Sequence, residues 1–584
     1  MGGKIRPSKL IMTFGPGAIM DLPPRQTLMV MDPSRWPGHR DVFERRLARA
    51  LNVHHFGSPK DVPSKNGGFP EGLPAVNFPK IRYCPECKML QTDLICKVCR
   101  AKPAHKDDPP RTMGPRLVAA CPTGHIQDFP WKEWVRCSCT SGRERLLLKG
   151  GGTASESDLE LKCETCGRHR NLQGALQWLE WDCEGQRPWT GDSEECHNKL
   201  RGLMRGASNV YFPATSSALS IPPYSNHWQQ LLERFREVAF ENWQNDAIRE
   251  FINATIPLKR LVDDRRISLE QLVVEFDKLY SEGSGDRIKV DEWMALTSPT
   301  PHSSLDEDFR ARPLDLSGSP LEEYFQSVKV VNLLREVMAL RGFTRIKGEG
   351  QSLEGPAAHH GPVKVEVQPW LTSFQGYSRG GRSCRGETWI PAVELFGEGI
   401  FFQLKPEKLE ACVSGMGRRM GKILSSPRAP FVSPESDIDK DDPRLVVVHS
   451  FSHLLIREIS IACGYSAASL RERLYVSRGE GGGTPMSGVL IYTSASDSEG
   501  TLGGLVQQAK NPSILAEHIG RMVGEGQTCS QDPLCAEHDP ATTHDPWGAS
   551  CHACTQVAET SCESLQNRFL DRLAVVNPKL GYFR

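Results

Sequence analysis

Cys84-Pro-Glu-Cys87 and, after eight intervening residues, Cys96-Lys-Val-Cys99 form the stretch on which the reading of this chain turns. Two Cys-x-x-Cys knuckles place four sulfurs around one tetrahedral ion. Zn²⁺ has no geometric preference from its d electrons and favours closed thiolate sets of this kind. The 584 residues hold 19 cysteines. Eleven lie between Cys84 and Cys196, five lie between Cys529 and Cys562, and Cys384, Cys412 and Cys463 stand apart as small buried hydrophobes. Close pairing without a secretory signal points to thiolate ligands in a reducing cytosol, not to disulfides.

Outward from the first knuckles come Cys121-Pro-Thr-Gly-His125, Cys137-Ser-Cys139, Cys163-Glu-Thr-Cys166, Cys183 and Cys196. These are eight candidate ligands, enough for two tetrahedral ions. The favoured nesting puts Cys137, Cys139, Cys163 and Cys166 in one site. Cys121, His125, Cys183 and Cys196 form the other, with His197 as the alternative to His125. Near the carboxy terminus, Cys529, Cys535, Cys551 and Cys554 make a further set, and Cys562 is either spare or a substitute for one of them. A structural zinc contributes about 10–16 kcal/mol in small zinc peptides, against about 5–15 kcal/mol for whole domains. Residues 80–200 carry few long apolar periods, so several Zn²⁺ ions are expected to decide whether this segment folds.

The length predicts about three to five folding units. With 39% hydrophobic and 24% charged residues, the composition is that of a globular chain and not of a disordered one. No uninterrupted apolar run approaches the roughly 20 residues of a membrane span. Leu10–Met20 follows Lys4, Arg6 and Lys9, but Gly15-Pro16-Gly17 and Asp21 spoil it as a signal peptide. Arg6 likewise breaks a myristoylation signal. A cytoplasmic location follows as an expectation. The 71 basic and 71 acidic residues exclude a uniformly basic coat for nucleic acid. Residues 1–60, with ten Lys/Arg against four Asp/Glu, still form either a solvated surface or a phosphate-facing segment.

Helix signals dominate residues 225–345: Asn226 before an apolar period from Trp228, the capping box Ser268-Leu-Glu-Gln271 with Ile267 and Leu272 at staple positions, and Ser319-Pro320-Leu-Glu322 with Gly342 as a stop. Residues 362–405 alternate like strands, in Val363–Val367 and Thr388–Leu395, with a further strand entered at Gly397–Phe402. Residues 425–443 read as a loop. The expected organisation is α+β and multidomain: a basic segment at 1–79, a zinc-ribbon-like knuckle region at 80–204, a helical scaffold at 205–345, a mostly β region at 346–430, and a mixed α/β domain with a terminal zinc site at 440–584.

Leu445 to Ala462 is apolar nearly all round, which predicts a buried helix. His449, His453 and Arg457 share one of its faces. They form either a satisfied polar network or the wall of a cleft or metal site. The zinc-protease pattern fails, because no Glu follows the first histidine. The strand Val489–Tyr492 leads into Asp497, Glu499, Gly500 and Gly503-Gly504, then a helix from Leu505. Such a turn can bind an anion through backbone N–H groups, although Asp497 and Glu499 oppose one unless a cation intervenes. Gly417-Arg-Arg-Met-Gly421-Lys422-Ile423 is one residue short of a phosphate-binding loop and lacks its Ser/Thr. Arg418, Arg419 and Lys422 remain candidates for phosphate contact. Without a Walker motif, no intrinsic ATPase activity is expected.

Several strings combine into a resemblance. Leu10-Ile-Met-Thr-Phe-Gly-Pro-Gly-Ala18 with Asp21-Leu22 resembles the amino-terminal signature of the DrmB family, a core component of the DISARM anti-phage system. His449-Ser-Phe-Ser-His453-Leu-Leu-Ile-Arg457, Leu490–Thr493 with Gly500–Gly504, and Cys551–Cys554 with Glu559–Glu563 resemble a domain that also ends certain DEAD-box-type repair helicases, where its cysteines hold zinc. The resemblance implies a partner, DrmA, an SNF2-like helicase, alongside a DNA methylase and a phospholipase-D-type protein. It implies a non-catalytic, multi-zinc subunit that forms a heterodimer with the helicase and meets double-stranded or partly single-stranded DNA through the complex. Two other readings stand beside it. One is a metal-dependent nuclease or phosphodiesterase using His449, His453, Asp497 and Glu499; the other is a pure scaffold without DNA contact.

Overall fold

The computed structural model describes residues 7–23, 25–59, 73–140, 142–150, 158–222, 245–263, 268–273, 287–299, 308–348, 353–356, 364–367, 372–373, 377–378, 388–426, 438–464, 466–479, 483–493, 503–543, 545–563 and 566–584. The chain packs as two compact units, each drawn from three stretches, where the sequence reading expects five consecutive segments. The first comprises Met1–Asp41, Gly57–Thr215 and Ala339–Ala392; the second comprises Val42–Phe56, Ser216–Met338 and Val393–Arg584. Both are mixed α/β.

Small antiparallel sheets build the first unit. Ile19–Leu22, Gln26–Val30 and Ala75–Asn77 form one; Leu146–Gly150, Leu159–Cys163 and His169–Asn171 form another. A third runs in the order Trp178–Asp182, Lys199–Met204, Leu117–Ala120, Ile126–Asp128. The inner faces of the second and third meet in a core that includes Leu117, Ala119, Phe129, Trp131, Trp134, Leu148, Leu161 and Leu200. Strands of three to six residues close little apolar area each, so the unit relies on other ties. One is Arg345, fully buried, which donates to the carbonyls of Gly124 (2.8 Å), Val210 (2.6 Å) and Gly17 (2.9 Å). Gly17 has φ +87°, and a Cβ there would stand 2.8 Å from the Phe343 ring, which explains the glycine in the Gly-Pro-Gly string.

The second unit is layered around strands that alternate their side chains with period two. Phe212–Ser220, Phe325–Thr344, Thr388–Leu404, Met486–Thr493 and Leu470–Ser477 run in that order through a ten-stranded sheet, and the boundary between units falls within the first three of these. Ile400, Phe402, Leu404, Leu470, Leu474, Val489 and Ile491 point to one face, where the helix Arg444–Cys463 packs with Pro406–Leu424, Pro512–Gly526 and Arg572–Val576. Phe401, Tyr475, Leu490 and Tyr492 point to the other face, against Trp293 and Leu296 of the helix Ile288–Thr297. Arg444–Cys463 is apolar on all sides because it is enclosed. By length and composition it is long and apolar enough to cross a bilayer, yet 83% of that apolar window is buried in the fold.

Two expectations for the middle are corrected. Ser319-Pro320 opens only a 3₁₀ turn, Pro320–Glu323, and Phe325–Thr344 is a 20-residue strand, not a helix ending at Gly342. The helical scaffold at 205–345 is therefore mixed, with helices Asn245–Ala254, Ile256–Asp263 and Ile288–Thr297 beside strands Phe212–Ser220 and Phe309–Pro313. Pairing on both edges and burial on both faces outweigh the helix propensity of the Leu, Glu and Met residues. Likewise Thr388–Leu404 runs as one strand straight through Gly397 and Gly399. The capping box at Ser268 forms, with Gln271 N–H donating to Ser268 Oγ (3.1 Å) and Ser268 N–H to Gln271 Oε1 (3.2 Å). The helix expected after Asn226, and the staple residue Ile267, lie outside the described residues.

Candidate metal centres

Four ligand sets come together. In the first, Cys84 and Cys99 sulfurs lie 3.8 Å apart and Cys87 and Cys96 sulfurs 3.5 Å. A tetrahedron with Zn–S bonds of about 2.3 Å has edges of about 3.8 Å, so the spacing is that of ligands to one ion. The apolar cluster around them is the cysteines themselves plus Val98.

The eight ligands that follow divide as the favoured nesting divides them. Cys137 lies 3.5 Å from Cys163 and 3.7 Å from Cys166, and Cys139 lies 3.8 Å from Cys163. In the other set Cys121 Sγ is 3.5 Å from His125 Nδ1 and 4.0 Å from Cys196 Sγ, with Cys183 completing the group. The second ring nitrogen of His125 meets the Glu194 carboxylate at 2.7 Å. A carboxylate on the far nitrogen fixes the tautomer and turns Nδ1 toward the sulfurs, as metal-bound histidines require. His197 is exposed and pairs with Glu195 instead (3.0 Å). Glu194 was not among the sequence candidates; a glutamate two residues before a ligand cysteine carries no distinctive spacing.

The fourth set is Cys529, Cys535, Cys551 and Cys554, with Cys529–Cys551 at 3.5 Å, Cys535–Cys554 at 3.6 Å and Cys551–Cys554 at 3.7 Å. It is tied to the second unit's core by arginines. Arg457 donates to the carbonyls of His552 (3.3 Å), Ala553 (2.7 Å) and Gln556 (3.2 Å), around the knuckle. Arg572, fully buried, grips Asp532 through both carboxylate oxygens (2.7 and 2.8 Å) and the Gly526 carbonyl (2.8 Å). Arg457 thus positions the last zinc loop and does not line a cleft.

The remaining candidates are placed as follows. Gly417–Ile423 lies inside the helix Pro406–Leu424 and forms no phosphate loop. Arg419 pairs with the buried Asp571 and Lys422 with Asp539 (3.4 Å), while Arg418 is exposed. The glycine turn that could have bound an anion is met by the chain itself: Glu398 accepts from the N–H of Gly503 and of Leu505, each at 2.6 Å. Asp497 and Glu499 lie outside the described residues. His449 and His453 are fully buried beside Glu472 and Cys562.

All four sets offer thiolate, or thiolate and imidazole, in tetrahedral number, and this donor chemistry fits Zn²⁺. Comparison with known proteins agrees. Residues 451–555 match the MrfA Zn-binding domain, and residues 6–212 match a family described as a domain of unknown function, DUF8724. Over 581 residues the chain is 29% identical to the DISARM protein DrmB of Bacillus paralicheniformis, covering 94% of this chain and 96% of the relative. The chain is similar to DrmB almost end to end. The DrmB resemblance read from short strings at the two termini therefore extends through the middle as well.

Proposed function

We propose that the chain is the non-motor subunit of a DISARM-type anti-phage complex in the cytoplasm. In this reading it binds an SNF2-like helicase, DrmA, and helps it engage phage DNA. The end-to-end similarity to the DISARM protein DrmB carries the proposal. The metal centres support it: each set supplies four protein ligands, which leaves no open position for a substrate or an activated water. Zinc here serves architecture, and ATP hydrolysis belongs to the helicase. DNA contact through exposed basic residues such as Arg418 would be sequence-independent and salt-dependent.

Purification of the chain alone and with its helicase tests this. The expected result is a heterodimer, ATPase activity only when the helicase is present, and tighter DNA binding by the complex than by the helicase alone. Substantial ATPase activity in the isolated chain, or failure of the two to co-migrate, overturns the division of labour. The internal pairing of Arg419 and Lys422 favours a second reading, a scaffold without DNA contact. Under that reading Arg418→Glu leaves DNA binding by the complex unchanged.

A further inference from the structure

We propose that His449, His453, Glu472 and Cys562 form a fifth metal site, a structural one that takes Zn²⁺. The site follows from two periodicities. His449 and His453 stand one turn apart on the helix Arg444–Cys463, and so share a face. Glu472 lies between Leu470 and Leu474 on a strand whose even-numbered residues face that helix. Cys562 follows the terminal zinc loop and arrives beside them. Both histidines are 0% exposed, Glu472 is 2% exposed and Cys562 is 7% exposed.

The geometry is that of ligands. His449 Nε2 lies 3.1 Å from Glu472 Oε1 and 3.3 Å from Cys562 Sγ, and His453 Nε2 lies 3.4 Å from Glu472 Oε1. All four donor atoms fall within 4.8 Å of one another. A tetrahedral ion with bonds of about 2.0–2.3 Å requires edges of roughly 3.3–3.8 Å.

A hydrogen-bonded network accounts for these atoms less well. His453 Nδ1 faces the Thr555 carbonyl at 3.2 Å, and a carbonyl only accepts, so the proton sits on Nδ1. In the neutral ring Nε2 then bears a lone pair, and it is aimed at a carboxylate oxygen that bears lone pairs too. No hydrogen bond satisfies His453 Nε2. Glu472 already accepts from Ser452 Oγ–H on one oxygen and from the Glu563 N–H (3.0 Å) on the other. Cys562 Sγ accepts the Asn567 N–H (3.3 Å). Two facing acceptors in a dry core need a cation between them. A proton on His453 would supply one positive charge, but an unmatched charge is costly in a dry core. A divalent ion meets two neutral imidazoles, one carboxylate and one thiolate, and the site becomes electrically neutral where an uncompensated charge is most costly.

The mixture of sulfur, nitrogen and oxygen suits borderline-soft Zn²⁺. Four protein ligands and full burial make the site structural. Cys562 is then neither spare nor interchangeable with the terminal tetrad. The matched zinc-binding domain spans residues 451–555 and leaves out both His449 and Cys562.

Anomalous diffraction at the zinc edge, from crystals of the native full-length chain, is the primary test. A peak within bonding distance of all four atoms is expected. Its absence while the cysteine tetrads are occupied overturns the proposal. Metal analysis gives a second readout. His453→Gln and Cys562→Ala are each expected to lose one zinc per chain relative to native, and Cys412→Ala to lose none. A folded His453→Gln or Cys562→Ala chain with an undiminished zinc content refutes the assignment. Where a variant fails to fold, the native anomalous map decides.

Discussion

Replacing Cys87 with serine isolates what zinc does for the first knuckle pair. Cys87 is half-buried, so the substitution keeps size and polarity and removes one thiolate. Residues 80–113 contain two strands of two residues each, Arg82–Tyr83 and Leu90–Gln91, and the four-residue helix Lys97–Arg100; beyond the cysteines and Val98, they lend Leu90 to the first unit's core, with Ile81 and Tyr83 packed against it. Elements this short do not persist in water unaided. Ordering about thirty residues costs several tens of kcal/mol at roughly 1–2 kcal/mol each. The bridges Tyr83↔Met113 and Ile95↔Arg111 offset little of that. The ion's contribution of about 10–16 kcal/mol is thus comparable with the whole local stability. Without it, opening of this lobe is expected to become easier by at least about 5 kcal/mol, or between three and four decades in exchange rate. Amide hydrogen exchange read by mass spectrometry measures this directly. Peptides from 84 to 111 should lose protection by about that factor while the strands Phe325–Thr344 and Met486–Thr493 keep theirs. If Cys87→Ser loses one zinc and its lobe remains protected within tenfold of native, the argument that metal holds this segment is wrong.

Three further outcomes are expected. Glu292 is fully buried, bonds Arg473 through both oxygens (2.6 and 2.8 Å), and also accepts from Tyr475 Oη–H (3.0 Å) and Leu219 N–H (2.9 Å). Glu292→Gln removes the guanidinium's nearest carboxylate, leaving it Ser217 and, at 3.6 Å, Glu563. It should cost about 3–5 kcal/mol, which for a unit of about 330 residues lowers the melting temperature by roughly 4–7 °C in calorimetry. Arg345→Met leaves three buried carbonyls without their shared donor and should destabilise the first unit by a similar ~3–5 kcal/mol, measurable by urea titration followed by exchange of first-unit peptides. Burial pushes the Asp128 carboxyl up to about 6, against the N–H groups of Ile81 and Lys80 that donate to it. A raised folded-state value means that its stabilising contribution is present below the ordinary carboxylate range and is lost as pH rises toward 6. The stability difference between native and Asp128→Asn chains should therefore shift against native across that window and level off above it; a difference flat from pH 4 to 7 contradicts this.

The sequence alone determined the metal chemistry. Cys-x-x-Cys pairs are local, their chelate geometry is set within four residues, and thiolate restricts the metal whatever surrounds it. The enclosed helix Arg444–Cys463 was legible for a related reason: apolarity on every face has one stable solution in a folded chain. The strand Phe325–Thr344 was not legible, because a helix-forming composition there is overruled by neighbours that arrive from residues 309 and 400. Nor could spacing place Arg419 against Asp571, or bring Glu472 and Cys562 to two histidines. These pairings join residues from 19 to 152 positions apart. Ligand type is written in side chains. Which distant side chains meet depends on strand register and on helix packing, and these are set by burying the whole core at once.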